Sequence, residues 1–172
     1  MSKKVFLKGT LILACTGLVS RIAGFFYRIF LSHAIGAEGL GLYQLILPLQ
    51  GLMAALSYTG IQSALSRLIA SRLALQEKKE AYFSLVTGIF AAVFFSAVTG
   101  FLLFRHADFF ASTILKAPGT SDFLRLTAAS IPLCAIHSCI DSYYYARKKA
   151  SVPAAVQLSE QAVRIGATYI LY

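Results

Sequence analysis

The chain has 172 residues, of which 58% are hydrophobic and 13% charged, with a formal net charge of +9 and no tryptophan. Soluble proteins carry about 25% charged residues. A mean hydropathy of +0.70 would force a soluble fold to expose large apolar patches, which soluble monomers rarely do. The composition also excludes disordered, collagen-like, disulfide-scaffold and nucleic-acid-binding proteins. It is typical of a membrane protein.

The apolar runs predict about five membrane-spanning helices, because a span needs about 20 mainly apolar residues. Residues 39–66 and 81–104 carry no charge and contain the two clearest spans. All the runs are too long for barrel strands, and they lack the two-residue alternation of such strands. We therefore expect one all-α, polytopic membrane domain over residues 1–172, with spans near 5–32, 40–63, 82–104, 123–146 and 153–172.

Three kinds of connector join these spans. Residues 33–40 contain two glycines and predict a tight turn. Residues 66–81 predict a basic amphipathic extension that lies on the membrane surface. Residues 106–121 predict a short interfacial helix that is closed by the turn at Pro118 and Gly119.

The basic residues predict the orientation, since lysine and arginine concentrate in cytoplasmic loops. Ten of the 16 fall on one side of the predicted spans, and that side carries the N-terminus: Lys3, Lys4, Lys8, Arg67, Arg72, Lys78, Lys79, Arg147, Lys148 and Lys149. The opposite side has Arg105, Lys116 and Arg125. We therefore expect a multi-pass protein of the bacterial plasma membrane with a cytoplasmic N-terminus.

The basic, apolar N-terminus admits a second interpretation as a signal peptide. Residues 12–15 (ILAC) faintly resemble a lipoprotein cleavage site. The helical pattern continues beyond Cys15 to Leu31, however, and further spans follow, which favours an uncleaved first span. The three cysteines all fall within spans, so no disulfide framework is indicated.

Two arginines lie within the first predicted span. An arginine at the centre of a membrane helix costs about 2.5–3.5 kcal/mol on the insertion scale. Arg21 and Arg28 are seven residues apart and therefore share a helix face, together with Gly17 and Gly24. Such a face combines close backbone approach with fixed positive charge, which suits phosphate oxygens. Alternatively, Arg28 reaches the outer interface and Arg21 pairs with a carboxylate elsewhere.

Polar stripes also mark the last two predicted spans. In the fourth span, Cys134, His137 and Asp141 are chemically capable of binding a metal. One helix supplies too few ligands, so we expect no metal there and favour a cavity lining or polar packing. In the fifth span, Glu160, Gln161 and Arg164 fit a structural clamp and a cavity lining equally well. The sequence contains no catalytic constellation and no phosphate-binding loop, so we expect neither an enzyme nor a cofactor.

Several motifs together resemble a known family. They are FLKGTLIL at 6–13, SRIAGFFYR at 20–28, IGAEGLGLY at 35–43, and the pattern of Tyr144, Tyr145, Arg147, Pro153 and SEQAVR at 159–164. The chain is similar over nearly its whole length to the N-terminal portion of the bacterial polysaccharide exporters. Within that family it resembles the stage V sporulation protein B group, which belongs to the lipid flippase superfamily of multidrug and oligosaccharidyl-lipid exporters.

The resemblance implies a two-lobe fold around a central cavity, of which this chain supplies an incomplete first lobe. It implies export of lipid-linked oligosaccharide or polysaccharide precursors by alternating access, for the cell envelope or the spore cortex. Arg21 and Arg28 match first-helix arginines that meet the lipid pyrophosphate, and Gly17, Gly24, His137, Asp141, Glu160, Gln161 and Arg164 become cavity-lining candidates. We expect a fragment of a longer transporter that needs a C-terminal lobe or a partner chain. The alternative is a structural or assembly membrane protein without transport activity, or the product of a decayed gene.

Overall fold

The computed structural model describes residues 3–171, with side chains from Gly9 to Ile170. Every regular element in this range is helical. The long helices are α1 (Lys3–Ala54), α2 (Gly60–Ala74), α3 (Lys78–Arg105), α5 (Ser121–Ala146) and α6 (Ser151–Leu171). A π-helical turn, Ala55–Thr59, joins α1 to α2. Between α3 and α5 lie the short α4 (Ala107–Phe109), a second π-helical turn (Phe110–Ile114) and a 3-10 turn (Pro118–Thr120).

Gly36 interrupts α1. Its backbone has φ 73° and ψ 174°, a conformation essentially restricted to glycine. The turn predicted over residues 33–40 is therefore shorter than expected, because helical geometry continues on both sides of this one residue. The break separates the two long apolar runs that the sequence predicts as the first two spans.

Three helical stretches in the described part of the chain are long and apolar enough to cross a membrane. They cover Gly9–Ala74, Lys78–Arg105 and Pro118–Ala146. The first has 66 residues and contains the break at Gly36, whereas α6 does not meet the same criterion. The chain is thus an all-α polytopic membrane protein, and the number of five spans stays a prediction.

The chain divides into two compact units. One contains the residues up to Leu40 together with those from Arg147 onward, and the other contains Gly41–Ala146. In the second unit α3 packs on both α2 and α5. Buried small residues allow the close approach of α3 and α5, as is common between membrane helices. They are Ala92, Ser96 and Gly100 on α3 and Ala128, Ala135 and Ser142 on α5.

Gly100 marks a close backbone contact between α3 and α5. A methyl group built on Gly100 would lie only 2.8 Å from the carbonyl oxygen of Ala128. Pro132 lies four residues after Ala128 inside α5, and a proline has no N–H to donate to that carbonyl. The proline thus leaves the Ala128 oxygen without its usual helical partner. This oxygen faces the position on α3 where Gly100 has no side chain.

Hydrogen bonds further along the same unit join α5 to its neighbours. The Ser142 hydroxyl lies 3.2 Å from the carbonyl oxygen of Gln62 and 2.9 Å from that of Ser138. The Cys139 thiol lies 3.9 Å from the carbonyl oxygen of Gly88. The Ser142 and Cys139 side chains thus donate hydrogen bonds to backbone oxygens of adjacent helices, as polar side chains do in membrane bundles.

The segment predicted to lie on the membrane surface, residues 66–81, is built differently. Helix α2 continues through it to Ala74, and a short turn leads directly into α3 at Lys78. Ile69 is completely buried in a core cluster with Leu65, Ala81 and Ala92. One side of the segment therefore belongs to the helical core of residues 41–146, while Leu68 and Leu75 on its other sides are exposed.

Arg125 holds the loop between α3 and α5. Its guanidinium donates to Asp108 at 2.9 Å and to Asp122 at 3.1 Å. Ala107 and Ala111 are buried against the core below this pair. Residues 106–121, predicted as an interfacial helix, thus form three short helical elements, and Asp108 ties them to the first turn of α5.

We expect Arg125→Ala to loosen this loop more than it destabilises the fold. Exposed ion pairs contribute about 0–1 kcal/mol each, so the change in the free energy of unfolding stays small. Amide exchange across residues 107–117 should rise several-fold, as measured by hydrogen–deuterium exchange in detergent. Arg105→Ala removes an equal charge at the exposed end of α3 and serves as the control. Equal exchange in both variants would contradict the role of the Arg125 pairs.

Candidate functional site

The two arginines predicted as the binding site lie on one exposed face of α1. Arg21 and Arg28 both precede the break at Gly36, so a continuous helix holds them on the same side, two turns apart. Both side chains are exposed, and they are surrounded along the helix by apolar residues such as Ile22, Phe25 and Ile29. The predicted arginine face is therefore formed and accessible.

Gly17 and Gly24 lie on this same face but do not contact another backbone. A methyl group built on either glycine would meet no atom within 4 Å in the described part of the chain. The close helix approach expected at these positions is thus not made by residues 9–170. Instead the glycines leave open space on the face of α1 that carries Arg21 and Arg28.

A neighbouring side of α1 packs against α6. Thr16 and Ser20 are buried on this side. Tyr27 and Thr168 place their hydroxyl oxygens 3.4 Å apart, and the rings of Phe30 and Tyr169 are 6.2 Å apart. Tyr27 and Phe30 of α1 therefore contact α6.

Among the side chains that the structure describes, the Ser20 hydroxyl on α1 and the side-chain oxygen of Gln161 on α6 are buried without a hydrogen-bond partner. Buried polar groups are normally hydrogen-bonded, so these two atoms have unused hydrogen-bonding capacity.

The other polar residues of α6 face outward. Glu160 and Arg164 are exposed and one helical turn apart. The Thr168 hydroxyl donates to the backbone oxygen of Arg164 at 2.9 Å. In the polar stripe of α6, Gln161 is therefore turned inward, whereas Glu160 and Arg164 are turned outward. Whether Glu160, Gln161 and Arg164 form a structural clamp or line a cavity remains a prediction.

The polar stripe of the fourth predicted span lies in the other unit. On α5 the His137 Nδ1 is 3.8 Å from a carboxylate oxygen of Asp141, with 45% and 21% of the two side chains exposed. Cys134 lies on the same helix and is partly buried. Within the part of the chain that the structure describes, no three His, Cys, Asp or Glu side chains come together as metal ligands. The structure thus groups His137 with Asp141 on α5, and it places the two arginines together on an exposed face of α1.

Sequence reasoning missed Ser20 and Tyr27, whereas it placed Thr168 in the polar stripe of the fifth predicted span. Thr16, Ser20, Tyr27 and Leu31 recur at helical spacing one position away from the arginine face, which is a detectable signal for a packed side. The partner helix was not deducible, because the pairing joins residues at opposite ends of the sequence.

Comparison with known proteins places this helical architecture in a family. The family model described as "Polysaccharide biosynthesis protein" matches residues 6–172. Stage V sporulation protein B of Bacillus subtilis (strain 168) is 34% identical over 170 residues, which cover 96% of this chain and 32% of that protein. No solved structure matches. The chain belongs to the polysaccharide biosynthesis protein family, and it spans about a third of the length of this relative.

Proposed function

We propose that the chain is part of a membrane transporter that flips or exports lipid-linked oligosaccharide or polysaccharide precursors by alternating access. The observation that carries this proposal is the exposed pair Arg21 and Arg28 on one face of an apolar helix. Two guanidinium groups in an apolar setting are costly to insert. They match the pyrophosphate of a lipid-linked glycan, which offers several oxygens for bidentate hydrogen bonds.

The packing around the arginines supports a binding role. The open space at Gly17 and Gly24 leaves room for a substrate group beside the guanidinium groups. The buried Ser20 hydroxyl and Gln161 side-chain oxygen, which have no partner among the described residues, supply further hydrogen-bonding atoms on α1 and α6. We assign Gly17, Gly24 and Gln161 to this lining, with Glu160 and Arg164 beside it on α6. His137 and Asp141 on α5 are proposed as further cavity-lining residues of the complete transporter.

The proposal includes the setting of the transporter. The chain lies in the bacterial plasma membrane with its N-terminus in the cytoplasm, and it works without enzymatic activity or a cofactor. The matched relative is about three times as long, so the remainder of the cavity is proposed to come from a C-terminal lobe or a partner chain. The product serves synthesis of the cell envelope or the spore cortex.

The test is complementation of a strain that requires this export, with the arginine variants placed in the complete transporter. Arg21→Ala/Arg28→Ala should reduce export at least tenfold, because hydrogen bonds to charged groups contribute about 1.5–3 kcal/mol each. Export is measured as glycan at the cell surface, and membrane insertion is measured by immunoblot of the membrane fraction. Arg67→Ala, which removes an exposed charge from α2, should leave export unchanged.

Lysine variants sharpen this test. Arg21→Lys/Arg28→Lys retains the charge but loses the bidentate geometry, so we expect export between that of the wild type and that of the alanine variant. If the double alanine variant exports normally while remaining in the membrane, the binding role of the arginines is wrong. Normal export from Arg28→Ala alone would instead indicate that Arg28 only reaches the membrane interface.

A second candidate function is a structural or assembly membrane protein without transport. In that case export would depend on the presence of the chain but not on Arg21 or Arg28. The complementation experiment therefore distinguishes the two functions.

A further inference from the structure

Two grooves lie on either side of Phe83 at the beginning of α3. The first has a volume of about 680 Å³ and runs between α2 and α3, where Leu65, Leu68, Thr87 and Gly88 line it. The second has a volume of about 630 Å³ and lies open on the surface of α3 alone, where Tyr82, Phe83 and Val86 line it together with Lys78, Lys79 and Glu80. Glu80 and Phe83 belong to both. The two grooves thus share one end and are separated by a single aromatic ring that is 68% exposed.

The shared end of the grooves carries a net positive charge. Lys78 and Lys79 line the second groove, and Arg72 lines the first. Arg72 forms an ion pair with Glu77 at 2.9 Å, and Glu80 lies in the first turn of α3. The three basic groups outnumber the two carboxylates by one. The N-terminus of α3 adds the positive end of the helix dipole at the same place.

The position of this charged end is that of a lipid headgroup. Helix α3 is a candidate membrane span that begins at Lys78, so its first turn lies at the membrane boundary and its later turns lie in the hydrocarbon region. The grooves lead from the basic residues along α3 toward Val86, Thr87 and Ala91. An occupant must therefore be anionic at one end and apolar along two parallel branches.

We propose that an anionic diacyl glycerophospholipid binds at this site, with its phosphate at Lys78 and Lys79 and one acyl chain in each groove. Phe83 separates the two chains. Basic residues next to a membrane span attract anionic lipids, and the two apolar grooves match the two chains of such a lipid rather than a single-chain amphiphile. The proposal does not depend on the transport function, because it rests only on residues 61–91.

Lipid binding to the purified full chain in detergent tests this site. The probes are dioleoyl phosphatidylglycerol, its single-chain lyso form and dioleoyl phosphatidylcholine, and native mass spectrometry measures the bound fraction of each. We expect the diacyl anionic lipid to bind at least tenfold more tightly than either of the others. Equal binding of the lyso form or of phosphatidylcholine overturns the proposal.

Charge variants test the headgroup contact. Lys78→Gln/Lys79→Gln should weaken phosphatidylglycerol binding about tenfold or more, since each basic group near the surface contributes to the attraction, and should leave phosphatidylcholine binding unchanged. Arg105→Gln/Lys116→Gln removes the same charge from the other end of α3 and from the loop beyond it. An equal loss of binding in this control overturns the site, because it would indicate a general charge effect.

A groove variant tests the acyl-chain contact. Thr87→Phe places a ring in the α2–α3 groove, and we expect it to reduce binding of the diacyl lipid to the level of the lyso form. Val98→Phe adds a similar ring three turns later on the same face of α3, outside the groove, and should bind like the wild type. Unchanged diacyl binding in Thr87→Phe overturns the proposal. If Thr87→Phe does not fold, the phosphatidylglycerol binding of the Lys78→Gln/Lys79→Gln variant still decides the outcome.

Discussion

Gly100→Ala is expected to lower the free energy of unfolding of the bundle formed by residues 41–146 by about 2–3 kcal/mol. The added methyl group would lie 2.8 Å from the Ala128 carbonyl oxygen. That oxygen belongs to the backbone of α5, so it cannot turn aside as a side chain does. The helices α3 and α5 must separate instead, which weakens the packing of Ala92, Ser96 and Ala135. The measurement is loss of helical circular dichroism during titration with sodium dodecyl sulfate.

Two other glycines provide matched controls for this variant. A methyl group at Gly88 would meet the Leu65 side chain at 2.7 Å, and the end of a side chain yields more easily than backbone. Gly88→Ala should therefore cost less than Gly100→Ala. Gly60 in α2 has no atom within 4 Å of such a methyl group, so Gly60→Ala should be neutral or stabilise the helix by about 0.5–1 kcal/mol. Equal effects at Gly60 and Gly100 would refute the close contact.

Ile69→Ala is expected to destabilise the same bundle by about 2–4 kcal/mol, the range for a buried isoleucine whose cavity is not refilled. Ile69 is completely buried between α2 and its neighbours, at the end of the bundle that carries the basic residues. The side chain of the neighbouring Leu68 is 45% exposed, and it is an isomer of the isoleucine side chain. Leu68→Ala should cost less than about 1 kcal/mol. The same detergent titration compares the two variants.

Similar losses in the Ile69 and Leu68 variants would indicate that the last two turns of α2 lie on the membrane surface, as the amphipathic sequence suggests. A loss confined to Ile69→Ala would show that these turns belong to the bundle. The two outcomes separate a surface segment from a continuous core helix without any structural measurement.

The sequence predicted the helical class and the long apolar helices because burial in a bilayer requires such runs. Helices α3 and α5 enclose the predicted ranges 82–104 and 123–146. It did not predict which glycine of residues 36–41 breaks α1, since all of them tolerate unusual backbone angles and only packing decides among them. It also did not predict that Ile69 is buried, because a helix with apolar residues on several sides fits both a surface and a core.

The candidate site shows a similar division. Seven-residue spacing was sufficient to place Arg21 and Arg28 on one face, since local helix geometry fixes it. The packed side of α1, with Ser20 and Tyr27, depends on α6, which lies at the other end of the chain. Contacts between such distant segments arise from tertiary packing, and a single sequence carries no direct signal for them.

The contact at Gly100 has a consequence for how the helices assemble in the bilayer. Sliding α3 along α5 by one turn would bring Ser96 or Phe104 opposite the Ala128 carbonyl, and neither leaves the space that a glycine leaves. Membrane helices gain little from apolar burial against one another, so many alignments of two apolar helices are close in energy. A single glycine facing a carbonyl that a proline has released selects one register among them.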